Sequence, residues 1–423
     1  MSRCGRPSSG IDLSLYDKAM NADELLRRYA DGERDFRQAN LNGADLALAI
    51  LREINLSRAK LAGVGLGQAN LTRADLSRAI LREADLSQAV LREANLTAAK
   101  LVGAYLSQAD LEGAVLNKAK LTEADLVGVN LRGAKLVGAN LSRVVLIEAD
   151  LRGADLTGAD LTGANLNNAR LCGANLARVD LTRAALRHSD LSQANFFEAD
   201  LSRAILQGAK LVGAGLSDAI LSEANLANAD LSEAQCMNAD FSRTNCKGAN
   251  LTRAVLNGAI FDRVDLLHAN LTEADLTRAD LTGVDLSRAN LTRTQLYKAV
   301  LQRSNLVQAT LREANLGEAD LSDARLSRAI LTGARLHQAN LAGGDLTGVL
   351  LQGADLRGAN LAGAILNQAD LTNAMLVDAD LSGASLYEVL VQGADFTRAC
   401  LTDAYLEATD LQGALLTEAI LPP

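Results

Sequence analysis

The sequence predicts an all-β solenoid, a chain that turns once every five residues around an apolar core. Three observations predict it. From Phe36 to Leu421 an apolar residue falls at every fifth position without a slip, 78 positions of which 70 are Leu. Two residues before it stands Ala, in 62 of 77 cases between positions 39 and 419. Pro is confined to Pro7, Pro422 and Pro423, so every residue between 8 and 421 keeps a backbone N–H to give to a ladder.

A period of five fits neither regular element. On an α-helix five residues advance about 500°, so successive Leu would spiral and form no face. On a straight strand an odd spacing would send them to alternate sides. The chain must turn once per repeat, which sends Ala and Leu, two apart, to the same interior and leaves three residues outside. Of the 33 Gly, 25 fall two after the apolar position, as at Gly43, Gly103 and Gly153. That recurrence marks a turn slot that calls for positive φ. Where Arg, Glu or Gln holds the slot, the expectation is a tighter right-handed turn. The core is aliphatic: apolar residues are 48% of the chain, aromatics 3%, and Trp is absent.

The unit Ala-Asp/Asn-Leu-x-x resembles the pentapeptide-repeat family over residues 36–421. The resemblance implies a right-handed quadrilateral β-helix with four repeats per coil, hence about 19 coils and a rod of roughly 90 Å at the strand spacing of ~4.8 Å. It implies Leu stacked on the Leu twenty residues away, with Ala at the crowded corner. Each buried Leu contributes on the order of 1.5–3 kcal/mol against an ordering cost of ~1–2 kcal/mol per residue, so coupling between neighbouring coils decides local stability. Residues 231–250 are the expected soft region, with Cys236 and Cys246 for Leu and Thr244 for Ala. Phe241 and Phe261, twenty apart, are expected to stack.

The expected domain plan is a poorly ordered tail over 1–20, a capping helix over 21–35 and the β-helix over 36–421. In the helix Asn21 serves as N-cap with Glu24 as capping-box partner, Gly32 stops it, and Leu25, Leu26 and Tyr29 lie over the first coil. Residues 23–36 also resemble a leader common on cyanobacterial members of the family. The C-terminal end carries no comparable cap. There the outward slot before the Leu turns apolar at Leu390, Cys400, Tyr405, Leu415 and Ile420, an expected surface for a protein partner or for a homodimer through this end, as some family members form.

The net charge is −9, and it is uneven: residues 301–423 hold 7 Lys/Arg against 15 Asp/Glu, net −8. Family members that protect DNA gyrase mimic duplex DNA through an acidic surface, which is the alternative function here; the 42 Lys and Arg mixed through the chain oppose it. A basic column runs through Lys60, Lys100 and Lys120, interrupted by Ile80, but nucleic acid is not the expected partner. No apolar run reaches the ~18 residues of a membrane span and residues 1–20 hold no signal-peptide core, so a cytoplasmic protein without membrane contact is expected. Cys4, Cys172, Cys236, Cys246 and Cys400 are odd in number and scattered, which is no disulfide framework.

Catalytic chemistry has no foothold. His188 and His268 share a face four coils apart, and His337 stands alone. Cys236 and Cys246 point inward from opposite sides of one coil. No phosphate loop, nucleophile elbow or zinc motif occurs. The expectation is no catalytic residue, no cofactor and no metal. The sequence therefore reads as a non-catalytic, rod-shaped protein-binding or scaffolding protein with an unidentified protein partner.

Overall fold

The computed structural model describes residues 20–423. Most of the expected tail, with Cys4 and Pro7, lies outside the described residues. The chain divides into two compact units, Met1–Asp160 and Leu161–Pro423.

The first unit opens on helix α1, Ala22–Ala30. The Asn21 side chain accepts the Glu24 N–H at 2.8 Å, which satisfies one orphan donor of the first turn. The Glu24 carboxylate turns along the helix to Arg28, 3.6 Å away. Asp23 and Glu24 sit at the positive end of the helix dipole and Arg27 and Arg28 at the negative end. Gly32 ends the segment at φ +97°. Leu25 is fully buried, the Tyr29 hydroxyl donates to the Arg52 carbonyl at 2.9 Å, and the Arg28 guanidinium lies 5.3 Å from the Phe36 ring centroid. Leu26 departs from expectation: it is 36% exposed, because the helix meets the coil edge along the line of Leu25 and Tyr29.

Beyond α1 both units have one construction. Parallel single-residue bridges pair each residue before the inward position with the one twenty later, from Asp35↔Asn55 to Asn140↔Asp160 in the first unit and from Asn165↔Ala185 to Cys400↔Ile420 in the second. A twenty-residue pairing makes four pentapeptides one coil. Each face contributes one bridging residue per coil, so the ladders form without extended strands.

The repeat at residues 71–75 shows why the pattern is what it is, since all five of its N–H donors find partners. Leu71 donates to the Val90 carbonyl (2.7 Å), Arg73 to that of Arg92 (2.9 Å), Ala74 back to that of Leu71 (2.9 Å) and Asp75 down to that of Ile54 (2.9 Å). Thr72, on the outer turn, has no carbonyl to meet and donates to the Asn70 side-chain oxygen at 3.1 Å. The Asp or Asn before each Leu is thus the acceptor for the donor that the coil leaves over, an Asx turn repeated along the chain. Inside, Leu and Ala positions from 51 to 404 are buried, and the few polar residues among them are Ser189, Thr244, Thr294 and Ser304. The Thr244 hydroxyl donates to the Leu221 carbonyl at 2.9 Å.

Two expectations are corrected. The turn slot is left-handed whatever residue holds it: Arg, Glu, Gln and even Leu48 adopt φ between 54° and 63°, alongside Gly43 at 66°. No right-handed variant of the turn appears, because the slot's own N–H must point along the ladder to the next coil. Non-Gly residues bear about 1 kcal/mol of strain there.

The soft region is displaced as well. Phe241 and Phe261 do stack, with centroids 5.6 Å apart and planes within 3°. The ladder holds through residues 231–250, where Cys236 and Cys246 each donate at 2.8 Å to the following coil. Opening comes one coil later. Among the described residues, Gly258, Phe261 and Arg263 make no backbone hydrogen bond to the next coil, unlike Asn238, Phe241 and Arg243 one coil before and Arg278, Leu281 and Gly283 one coil after. A cleft of about 380 Å³ separates residues 258–262 from Arg278, Asp280 and Thr282. The opening lies directly beyond the Phe241–Phe261 ring stack.

Candidate interaction surface

The coils leave three kinds of side chain outside: the Asx position on each face, and the two residues of each turn. The second of those two, the left-handed slot, forms columns at each corner with neighbours twenty residues apart. Opposite charges alternate there. Arg73 reaches Glu93 at 2.8 Å, and Arg253–Glu273 and Arg293–Glu313 repeat the contact at 2.8 Å, with Arg293 3.9 Å from Glu273. The Arg253 guanidinium holds the Glu273 carboxyl below the usual range, and Arg152 and Arg357 do the same for Asp150 and Asp355. These pairs are at least one-third exposed on one side or both, so solvent screens them and each adds little to stability. Many face carboxylates are committed too. Burial raises Asp320, Asp345 and Asp370, but hydrogen bonds from Gln302, Ser327 and Thr372 outweigh it and hold all three below the ordinary value.

The five residues expected at the C-terminal end do not form one lateral patch. Cys400 and Ile420 stack on one face through a direct bridge. Leu390 follows Asp370, Tyr405 follows Ser385 and Leu415 follows Asp395, each on a different face. They encircle the last coils, with exposures of 60% for Leu390, 51% for Tyr405 and 57% for both Leu415 and Ile420. Cys400 is half-buried, with its sulfur 3.3 Å from the Thr402 hydroxyl.

Sequence reasoning missed the leucines inside this ring. Leu406, Leu411 and Leu416 are only half-buried and Leu421 is 45% exposed, whereas Phe36, Leu41, Leu46 and Leu51 at the other end are at most 3% exposed. The repeat register identifies all of these positions as inward, so the pattern alone does not distinguish a covered coil from an open one. The ladder is also irregular here. Gly393 donates to Gly413, one residue beyond the usual partner, and the Val389 N–H goes to the Thr409 hydroxyl at 3.0 Å, which itself donates to the Leu386 carbonyl. Beside this irregularity lies a cleft of about 480 Å³ lined by Glu388, Leu390, Gln392, Asp410 and Gln412. Thr409 in place of Ala was the visible signal.

Cys236 and Cys246 are buried and free, and burial pushes the Cys236 thiol up to about 12 and raises that of Cys246 as well. Such thiols stay protonated and inert. Among the described residues no group of three or more His, Cys, Asp and Glu is placed to hold a metal ion, and no helix is long and apolar enough to cross a membrane.

A family model described as pentapeptide repeats (8 copies) matches the chain in overlapping stretches from 35–68 to 399–422. No curated protein matches. Among solved structures, the chain is similar to HetL, a pentapeptide repeat protein involved in heterocyst differentiation regulation in the cyanobacterium Nostoc sp. strain PCC 7120. The two are 36% identical over 60% of this chain and 96% of that one, with a TM-score of 0.24. QnrB1, a plasmid-mediated fluoroquinolone resistance protein, is 19% identical over 53% of this chain and 88% of its own, with a TM-score of 0.23. Rfr23, a pentapeptide repeat protein of the cyanobacterium Cyanothece 51142, is 30% identical over 28% of this chain and 63% of its own, at a TM-score of 0.11.

Proposed function

The chain belongs to the pentapeptide-repeat family, and from that premise we propose that it is a non-catalytic binding protein that presents the outside of its coils to a protein partner. The observation that carries this reading is the apolar ring of the last coils, Leu390, Tyr405, Leu415 and Ile420, surrounding the half-exposed Leu406, Leu411 and Leu416. Exposed apolar side chains grouped this way are costly in water and are stabilised by a covering surface. A second copy meeting the same end is the simplest cover, since a two-fold axis lets one patch satisfy itself. The right-handed quadrilateral β-helix of about 19 coils, from 78 repeats at four per coil, the capping role of residues 21–35 and a cytoplasmic location belong to the same reading.

Light scattering on the full chain tests it. A concentration-dependent dimer is expected, reverting to monomer when Leu390, Tyr405, Leu415 and Ile420 are together replaced by Ser. These positions bridge through backbone groups, so the coils survive the replacement. A chain that stays monomeric at every working concentration removes the dimer.

The second reading, mimicry of DNA toward gyrase, draws on the net charge of −8 over residues 301–423. Against it stand the carboxylates already tied into Asx turns or ion pairs, such as Asp355 with Arg357 at 2.7 Å and Asp378 with Arg398 at 2.6 Å. A supercoiling assay with and without a quinolone decides: no effect of added protein eliminates this reading.

A further inference from the structure

The first unit carries two adjacent columns of cations. On one corner, in the left-handed slot, Arg58, Arg78, Ala98 and Lys118 follow at intervals of twenty. On the face beside it run Lys60, Ile80, Lys100 and Lys120, joined by the bridges Lys60↔Ile80, Ile80↔Lys100 and Lys100↔Lys120. The backbone fixes both columns: Arg58 donates to the Ser77 carbonyl at 2.8 Å and Arg78 to that of Thr97 at 2.9 Å. A groove of about 530 Å³ follows the corner, lined by Arg37, Arg58, Arg78, Ser57, Ser77 and Thr97.

Arg37 is paired with Asp35 at 2.6 Å, and the strip rests on Arg58, Arg78, Lys100, Lys118 and Lys120. Glu123, on the opposite corner of the face, is held by Arg143 at 3.2 Å, and Glu83 shares that corner. Asp75 accepts from the Ser77 N–H at 2.9 Å and the Asn95 amide at 3.0 Å. Among the described residues no carboxylate lies within ion-pair distance of Arg58, Arg78, Lys100, Lys118 or Lys120. The balanced charge of the first 300 residues, 35 basic against 36 acidic, hides this segregation.

We propose that this strip binds the phosphate backbone of a nucleic-acid duplex, without reading its sequence. Guanidinium forks and the Ser77 and Thr97 hydroxyls match phosphate oxygens. From Arg58 to Lys118 is three coil steps, roughly 14 Å at ~4.8 Å per step, a span that meets about two phosphates of one strand before the strand winds away. Neither column holds an aromatic residue, so stacking on single-stranded bases is not what it offers. A cationic strip could also receive an acidic polypeptide, but the donors here are distributed in two columns, which suits a ridge of tetrahedral anions better than the flat carboxylates of one extended chain.

Fluorescence anisotropy with a labelled short DNA duplex and the full chain is the test. About two phosphate contacts predict sequence-independent binding that weakens on the order of 10-fold between about 50 and about 200 mM salt. Replacing Arg58, Arg78 and Lys118 by Glu should abolish binding, and replacing them by Gln should weaken it partway. Both sets should fold, because Glu53 and Glu83 and also Gln68 and Gln88 occupy the same left-handed slot. No anisotropy change at the lower salt overturns the proposal, as does binding that survives the Glu replacements. Competition by poly-glutamate as effective as unlabelled duplex also overturns it, assigning the strip to an acidic protein.

Discussion

At the scale of the residue, the main device is the left-handed slot. Fifty-two non-Gly residues take positive φ there, a total strain that no ordinary fold would carry. It is tolerated because a slot N–H closes a ladder bond, as that of Arg253 does to Thr272, and because the outward side chain gains a column partner, as Arg253 does in Glu273. Where the partner is missing, only the strain remains. Leu48 is such a case, with φ 63° and a side chain 70% exposed. Leu48→Gly is therefore expected to raise the thermal midpoint slightly, since about 1 kcal/mol of strain is relieved against roughly 0.5 kcal/mol of added unfolded-chain entropy. A lower midpoint would show that the slot is not strained. The sequence showed the slot through its Gly, but the wider rule was illegible, because one-third of the slots are Gly and the rest are residues that elsewhere avoid positive φ. The Asx position was visible as a pattern; its purpose appears only when the leftover donor at positions such as Thr72 is located.

At the scale of the element, coils couple to their nearest neighbours, so a defect stays local. The expected weak region was placed at the small Cys236 and Cys246, on the argument of lost volume. The structure places the opening one coil further, at the oversized Phe261. A ring in place of Leu disturbs the ladder more than missing volume does, because hydrogen bonds fail over a few tenths of an ångström while a small void leaves them intact. Amide hydrogen exchange should reveal this. Gly258, Phe261 and Arg263 are expected to exchange well ahead of Cys236, Phe241 and Cys246, and Phe261→Leu is expected to close the difference. Uniform protection across residues 231–285 would contradict the assignment. Helix α1 was legible in its Asn21 N-cap and its buried Leu25, and misjudged in Leu26, since sequence does not give the angle at which a helix crosses a coil edge.

At the scale of the whole molecule, function rests on what the repeats vary rather than on what they keep. The kept residues, Leu and Ala within and Asp or Asn at the turn, build the coils and were legible from spacing alone. The varied residues make two distinct surfaces, the cationic strip of the first unit and the apolar ring at the end of the second. Of the strip, Lys60, Lys100 and Lys120 were legible as a spaced column; Arg58, Arg78 and Lys118 join them only when corner and face columns are placed side by side. Of the ring, the repeat register picked out five outward slots, but not that they lie on four faces, nor that the inward leucines beside them are open. Both surfaces presuppose the same inward register of the fifth residue. Thermal unfolding of Leu251→Asp tests that register most directly, since Leu251 is 1% exposed within an intact ladder. An unpaired carboxylate there costs several kcal/mol, so the account predicts a large fall in the melting temperature and loss of exchange protection in the adjoining coils. An unchanged melting curve would contradict it.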